Sequence, residues 1–199
     1  MRLARHCAPA YSGRLLLAFV TTLMLTMTLA AIPSPALAQV LLRAPPNTIP
    51  ITPRLTISGQ PSAGWLETLG SRGVEAVIYL APLSVGDAVP EEPRILARQQ
   101  IEFIHIPIVF NQPSSADFDQ FSTAMTRLAD KNVLVHCQIN MRASSMVFLY
   151  RTIVGKESPQ VAYADVEKVW IPDGLWKNFM QDQLHRHGVV FDLSEDWLK

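Results

Sequence analysis

Cysteine is almost absent from this chain, with two in 199 residues. One of them, Cys7, lies in an N-terminal targeting segment, so the remainder carries a single thiol, Cys137. That excludes a disulfide scaffold, and no Cys/His spacing of the zinc-binding kind occurs. Glycine is sparse, at nine residues, and no Gly-rich nucleotide loop is formed. Also missing are a Lys/Arg run, a basic stripe and a basic–aromatic series, so nucleic acid is not an expected partner. Internal repeats and low-complexity tracts are absent as well.

The first residues read as an address. Arg2, Arg5 and Arg14 form a basic region, Leu15 to Ile32 an apolar run, and Ala36-Leu37-Ala38 a small-residue cleavage site before Gln39. The expected organisation is a signal peptide over 1–38, an extended lead-in over 39–53 and one domain over 54–199. The expected location is periplasmic or secreted, with no membrane association after cleavage. The apolar run is somewhat long for a signal, so an uncleaved anchor stays open. Three of the 17 basic residues and no acid fall in 1–38, leaving 14 basic against 17 acidic residues, a formal charge of −3.

Beyond the lead-in, strand and helix patterns alternate. Strands are expected around Leu55 and Ile57, over Val74–Leu80, over Phe103–Ile108, and at Val133–Val135. Helices are expected after a Ser62 cap, through Ile95–Ala97, through Phe118, Phe121, Met125 and Leu128, and after Arg142 with Met146, Leu149, Tyr150 and Ile153 as a buried stripe. Two further helices are expected over 158–170 and 175–187. This order predicts an α/β domain, a mostly parallel central sheet flanked by helices, with ligands bound beyond the carboxyl ends of the strands.

The chemistry concentrates in residues 132–145, Asn-Val-Leu-Val-His-Cys-Gln-Ile-Asn-Met-Arg-Ala-Ser-Ser. A short apolar strand delivers His136 and Cys137 to its carboxyl end, a tight loop follows, and Arg142 opens a helix. A thiol facing a helix N-terminus with an arginine beside it suits an oxyanion-binding nucleophile.

This run resembles the signature loop of the cysteine-dependent tyrosine and dual-specificity phosphatases, in which His-Cys is followed by five residues, Arg, and Ser or Thr. Ile-Ser-Gly-Gln-Pro at 57–61 and His-Ile-Pro at 105–107 extend the resemblance over most of residues 54–188, and it is strongest to an exported bacterial subfamily. The resemblance implies a protein-tyrosine-phosphatase-like fold and hydrolysis of phosphate monoesters, on proteins or small molecules, without metal or organic cofactor. It makes Cys137 the nucleophile and Arg142 the phosphate clamp. Backbone N–H groups of Gln138, Ile139, Asn140, Met141 and Arg142 become the cradle, and His136 a brace for the loop. Ser144, or Ser145, would assist departure of the thiolate. Helix capping is the other role open to both serines.

Two departures stand out. Four residues, not five, separate Cys137 from Arg142, and Asn140 stands near the usual loop glycine, where its tolerance of left-handed angles is useful. Phe110 or Asn111 occupies the place of the general-acid aspartate, which leaves Asp117 and Asp87 as candidate acids. Asp117 also reads as a helix first-turn residue. Loss of an acid costs about 10²–10⁴-fold in rate.

Other functions therefore stay open. The spacing Cys-Gln-Ile-Asn-Met-Arg also resembles the shorter loop of rhodanese-like sulfurtransferases, with Cys137 as a persulfide. A phosphate-binding module without turnover and a redox-sensing thiol are further alternatives. His105 is expected to be a satisfied core residue, and no metal site is expected at His185 and His187, which do not share a helical face. Trp65, Trp170, Trp176 and Trp197 are expected in the core, one of them as a candidate pocket wall.

Overall fold

The computed structural model describes residues 43–193. The expected signal peptide, the first part of the lead-in and Trp197 lie outside the described residues.

Five short strands form one sheet in the order β1-β2-β5-β3-β4. They are β1 (Ile49–Thr52), β2 (Leu55–Ser58), β3 (Ala76–Tyr79), β4 (Glu102–His105) and β5 (Val133–His136). Strands β2, β5, β3 and β4 run parallel, and β1 pairs antiparallel with β2. The lead-in, expected to be merely extended, is in part this edge strand. Its Pro50 fits there, because an edge strand can spare a ladder donor. Phe103–Ile108 was expected to be all strand, but the regular ladder ends at His105, ahead of Pro107, although the Ile106 and Ile108 N–H groups still donate to Tyr79 O and Leu80 O.

The central strands β3 (Ala-Val-Ile-Tyr) and β5 (Val-Leu-Val-His) are buried along their whole length. That is the signature of parallel strands covered on both faces. Alternation sends Val77 and Leu134 to one side, against α1 (Ala63–Leu66), the turn after it and α2 (Glu92–Arg98), through Leu66, Leu69, Ile95 and Leu96. Ile78, Val133 and Val135 face the larger cluster, with Phe118, Phe121 and Met125 of α3 (Ser115–Arg127) and Met146, Val147 and Leu149 of α4 (Met141–Ile153). Each such side chain taken fully from water contributes about 1.5–3 kcal/mol.

Helix α4 differs from its expected one-sided stripe. Every residue from Arg142 to Leu149 is buried, while Tyr150 is only half-buried. The helix packs against the sheet, α3, α5 (Pro159–Glu167) and α6 (Gly174–Arg186), so it has little outer face left. Ser62 caps α1 as expected, accepting from the Trp65 N–H. The end of the described chain packs inward: Phe191 meets Phe148 and Tyr163 at ring-centre distances of 6.0 and 5.5 Å.

Among the described residues, no helix is long and apolar enough to cross a membrane.

Candidate active site

Strand alternation decides what surrounds the thiol. His136 and Cys137 are consecutive at the end of β5, so their side chains leave on opposite faces. His136 turns toward α2, where its Nε2 lies 2.7 Å from Glu92 Oε1. Glu92 Oε2 accepts in turn from Gln60 Nε2 at 3.1 Å. His136 and Glu92 are 0 % and 2 % exposed, so this is an interior polar network, and the brace expected of His136 is anchored to another helix. The ring of Tyr79, in register with His136 on β5 and His105 on β4, stacks on both at 4.7 and 5.2 Å. His105 Nε2 bonds Ala81 O at 2.8 Å, a satisfied residue of the sheet edge. Burial pushes the Tyr79 phenol up to about 12, helped by the electrostatics of Glu92, Asp87 and Cys137 and opposed by Arg142.

Cys137 turns the other way and is fully buried, part of the larger core cluster. The loop after it is tethered from outside. Gln60 N–H donates to Gln138 O at 2.8 Å, and Gly59 forms an isolated bridge with Ile139. A Cβ on Gly59 would lie 2.7 Å from Gln138 O and 3.1 Å from Pro46 Cβ. Only glycine lets β2 and the loop approach this closely. In a planar trans peptide C=O and N–H point opposite ways, so a Gln138 carbonyl drawn outward turns the Ile139 N–H inward. Asn140 sits at φ 75°, the left-handed turn anticipated for it, and forms the N-cap of α4. Among the described residues, no acceptor is found for the N–H groups of Gln138, Ile139, Met141, Arg142 or Ala143. These are the orphan donors of a helix start, extended backward along the loop.

Arg142 completes the arrangement. It is 4 % exposed, and its Nε donates to Ile108 O at 3.0 Å. Its guanidinium carbon stands 5.0 Å from the centre of the Phe110 ring. No carboxylate pairs with it among the described residues. A cavity of about 180 Å³ opens here, lined by Phe110, Gln138, Ile139, Met141 and Arg142. Phe110 is backed by Trp170 and Trp176, and Trp176 Nε1 donates to Phe110 O at 2.8 Å. The pocket-wall tryptophans thus act through Phe110.

The expected helpers fare unequally. Ser144 Oγ and Ser145 Oγ both donate to Met141 O, at 3.1 and 2.9 Å. Neither hydroxyl is bonded to the thiol or caps the helix, because back-bonding to a carbonyl one turn earlier satisfies each within α4. Asp117 is held in a capping box, its Oδ2 accepting from Ser114 N at 2.8 Å and Ser114 Oγ at 2.7 Å. It is absent from the cavity wall. Asp87 is likewise absent from the cavity wall, but it reaches the loop: its Oδ1 accepts from Gln138 Nε2 at 3.0 Å. Sequence reasoning passed over Glu92, Gly59 as a contact and Asn47. Glu92 stands beside Glu91 and before Pro93, which reads as an ordinary helix start.

Comparison with known proteins agrees with this geometry. A family described as DSP-PTPase phosphatase fused to NAD+ kinase matches residues 52–177. A beta-lactamase hydrolase-like protein of Xylella fastidiosa (strain Temecula1) is 28% identical over 155 residues, covering 76% of this chain and 31% of that protein. The chain thus spans less than a third of that curated relative. A DUF442 protein of Shewanella putrefaciens CN-32, assigned as a phosphatase, superposes with a TM-score of 0.67 at 26% identity, covering 75% of this chain and 98% of that one. Tk-PTP in its active form shares the fold, with a TM-score of 0.57 at 20% identity over 71% of this chain and 96% of its own. The family match over residues 52–177 makes the chain a member of the DSP-PTPase phosphatase family fused, in its description, to NAD+ kinase, within the cysteine-based tyrosine and dual-specificity phosphatase superfamily.

Proposed function

We propose that the chain hydrolyses a phosphate monoester through a cysteinyl-phosphate, outside the cytoplasm. The observation that carries this reading is Arg142: a buried guanidinium with no carboxylate partner among the described residues, lining a cavity beside a helix start with uncommitted N–H groups. A buried cation without a counter-charge is costly, and a bound oxyanion supplies that charge. Arg142 and the amides of Gln138, Ile139, Met141 and Arg142 hold the phosphoryl oxygens.

Deprotonated Sγ of Cys137 attacks phosphorus, the ester P–O bond breaks, and the leaving oxygen takes a proton from Asp87. Water then attacks the phosphorus. The P–S bond breaks, Asp87 recovers a proton from that water, and inorganic phosphate and the thiolate are released. Asp87 is assigned this part because it is the carboxylate bonded to the loop, through Gln138.

A second reading has its own support. Cys137 is fully buried and does not line the cavity, which suits a site that holds a phosphorylated ligand without turning it over. Hydrolysis of p-nitrophenyl phosphate by residues 39–199, with Cys137→Ser and Arg142→Lys as controls, separates the two. Turnover lost in both variants supports the enzyme. Full activity in Cys137→Ser overturns it, and phosphate binding without turnover favours the binding module.

A further inference from the structure

Asn47 lies on the turn before β1, ninety-two residues from the loop it touches. Its Nδ2 donates to Ile139 O at 2.9 Å, and its own backbone oxygen accepts from Asn140 Nδ2 at 2.6 Å. The exchange is reciprocal, and both asparagines are left-handed, at φ 49° and 75°. Asn140 is fully buried, and its Nδ2 is committed to this contact, while its Oδ1 has no partner among the described residues. The turn that carries Asn47 is itself pinned, by Thr48 Oγ1 to Pro45 O at 2.7 Å and by Gly59 N–H to Pro46 O at 2.7 Å.

We infer that Asn47 is a positioning residue, which clasps Ile139 and Asn140 and so fixes the Cys137–Arg142 loop in its anion-receiving shape. The inference rests on the assignment of that loop as the phosphate site. With four residues between thiol and guanidinium, the loop has no slack: the Ile139–Asn140 peptide sets where Met141 and Arg142 enter the helix. A glycine at 140 would adopt the turn without strain, yet could not reach Asn47. The side chain is therefore needed for more than its tolerance of positive φ.

Asn140→Gly separates these two roles, and Asn47→Ala removes the other half of the clasp. Both variants are expected to melt cooperatively within about 4 °C of the parent. Each is expected to lower Cys137-dependent kcat/KM about tenfold, mainly through KM, and to weaken inhibition by orthovanadate by a similar factor, the scale of a hydrogen-bond loss. The double variant is expected to be no worse than about either single one, because the bonds form one unit. Either variant within twofold of the parent, or losses that multiply, would overturn the clasp. Hydrogen exchange at the amides of Gly59, Gln60 and Ser144, which bond Pro46 O, Gln138 O and Asn140 O, provides a reading that needs no turnover. Faster exchange in Asn47→Ala sustains the clasp even where the parent hydrolyses nothing and the phosphatase reading itself falls. Unchanged exchange sinks it.

Discussion

Glu92 Oε1 stands 2.7 Å from His136 Nε2 across forty-four residues of chain, with both side chains buried. The residue before the thiol is thereby tied to the first turn of α2, and through Gln60 to the end of β2. Glu92→Ala leaves the His136 Nε2 without a partner in the interior and Gln60 Nε2 with only its 3.4 Å bond to Pro61 O. It is expected to lower stability by about 1–3 kcal/mol. Glu92→Gln keeps the shape and one acceptor oxygen and is expected to cost less. Urea unfolding of the two variants checks the order, and equal losses would show that shape does not matter.

Gly59→Ala pushes a methyl group against backbone atoms rather than a side chain that could swing aside. Overpacking of this kind costs about 1–3 kcal/mol. The loop must also move, so catalytic efficiency should fall more than stability predicts. Thermal melting and kcat/KM on the same preparation test this; an unchanged kcat/KM would place the loop's tether elsewhere.

Asp87→Asn tests the proton donor through the leaving group. p-Nitrophenolate needs little assistance, so its release should change little. An alkyl phosphate should lose about 10²–10⁴-fold, the usual worth of a general acid. Equal losses on both substrates would reduce Asp87 to an anchor for Gln138.

Asp165 gives the domain an acid limit. Burial raises its pKa, but hydrogen bonds from Lys168 and Arg151 outweigh this and hold the carboxyl below its ordinary value of 3.8. A depressed carboxylate stabilises the fold fully above its unfolded pKa, and the contribution is lost as pH falls through the lower folded value. Melting temperature should therefore drop below about pH 4, more shallowly in Asp165→Asn. Identical slopes would remove Asp165 as a cause.

Much of this was legible in the sequence. The runs at 74–80 and 133–135 are β-branched and apolar, so they announce buried parallel strands, and His-Cys at the end of one of them locates the site. Asn140 could be anticipated in a left-handed turn because few residues tolerate one. The serines could not be placed, since a hydroxyl after a helix start has several acceptors within reach and packing selects among them. Glu92 and Asn47 were invisible for a different reason. Their partners lie forty-four and ninety-two residues away, and no local pattern encodes a contact across a sheet. Asp117 was ambiguous, and the box it forms with Ser114 consumed it.

The wall behind Phe110 has a spectroscopic consequence. Trp176, fully shielded from water, is bonded to the backbone of a residue whose ring faces the Arg142 guanidinium. An anion seated on Arg142 changes the field at Phe110 and, one contact further, at the Trp176 indole. Titration with phosphate should therefore shift the Trp176 share of the emission, a shift that Trp176→Phe removes while the other three tryptophans remain.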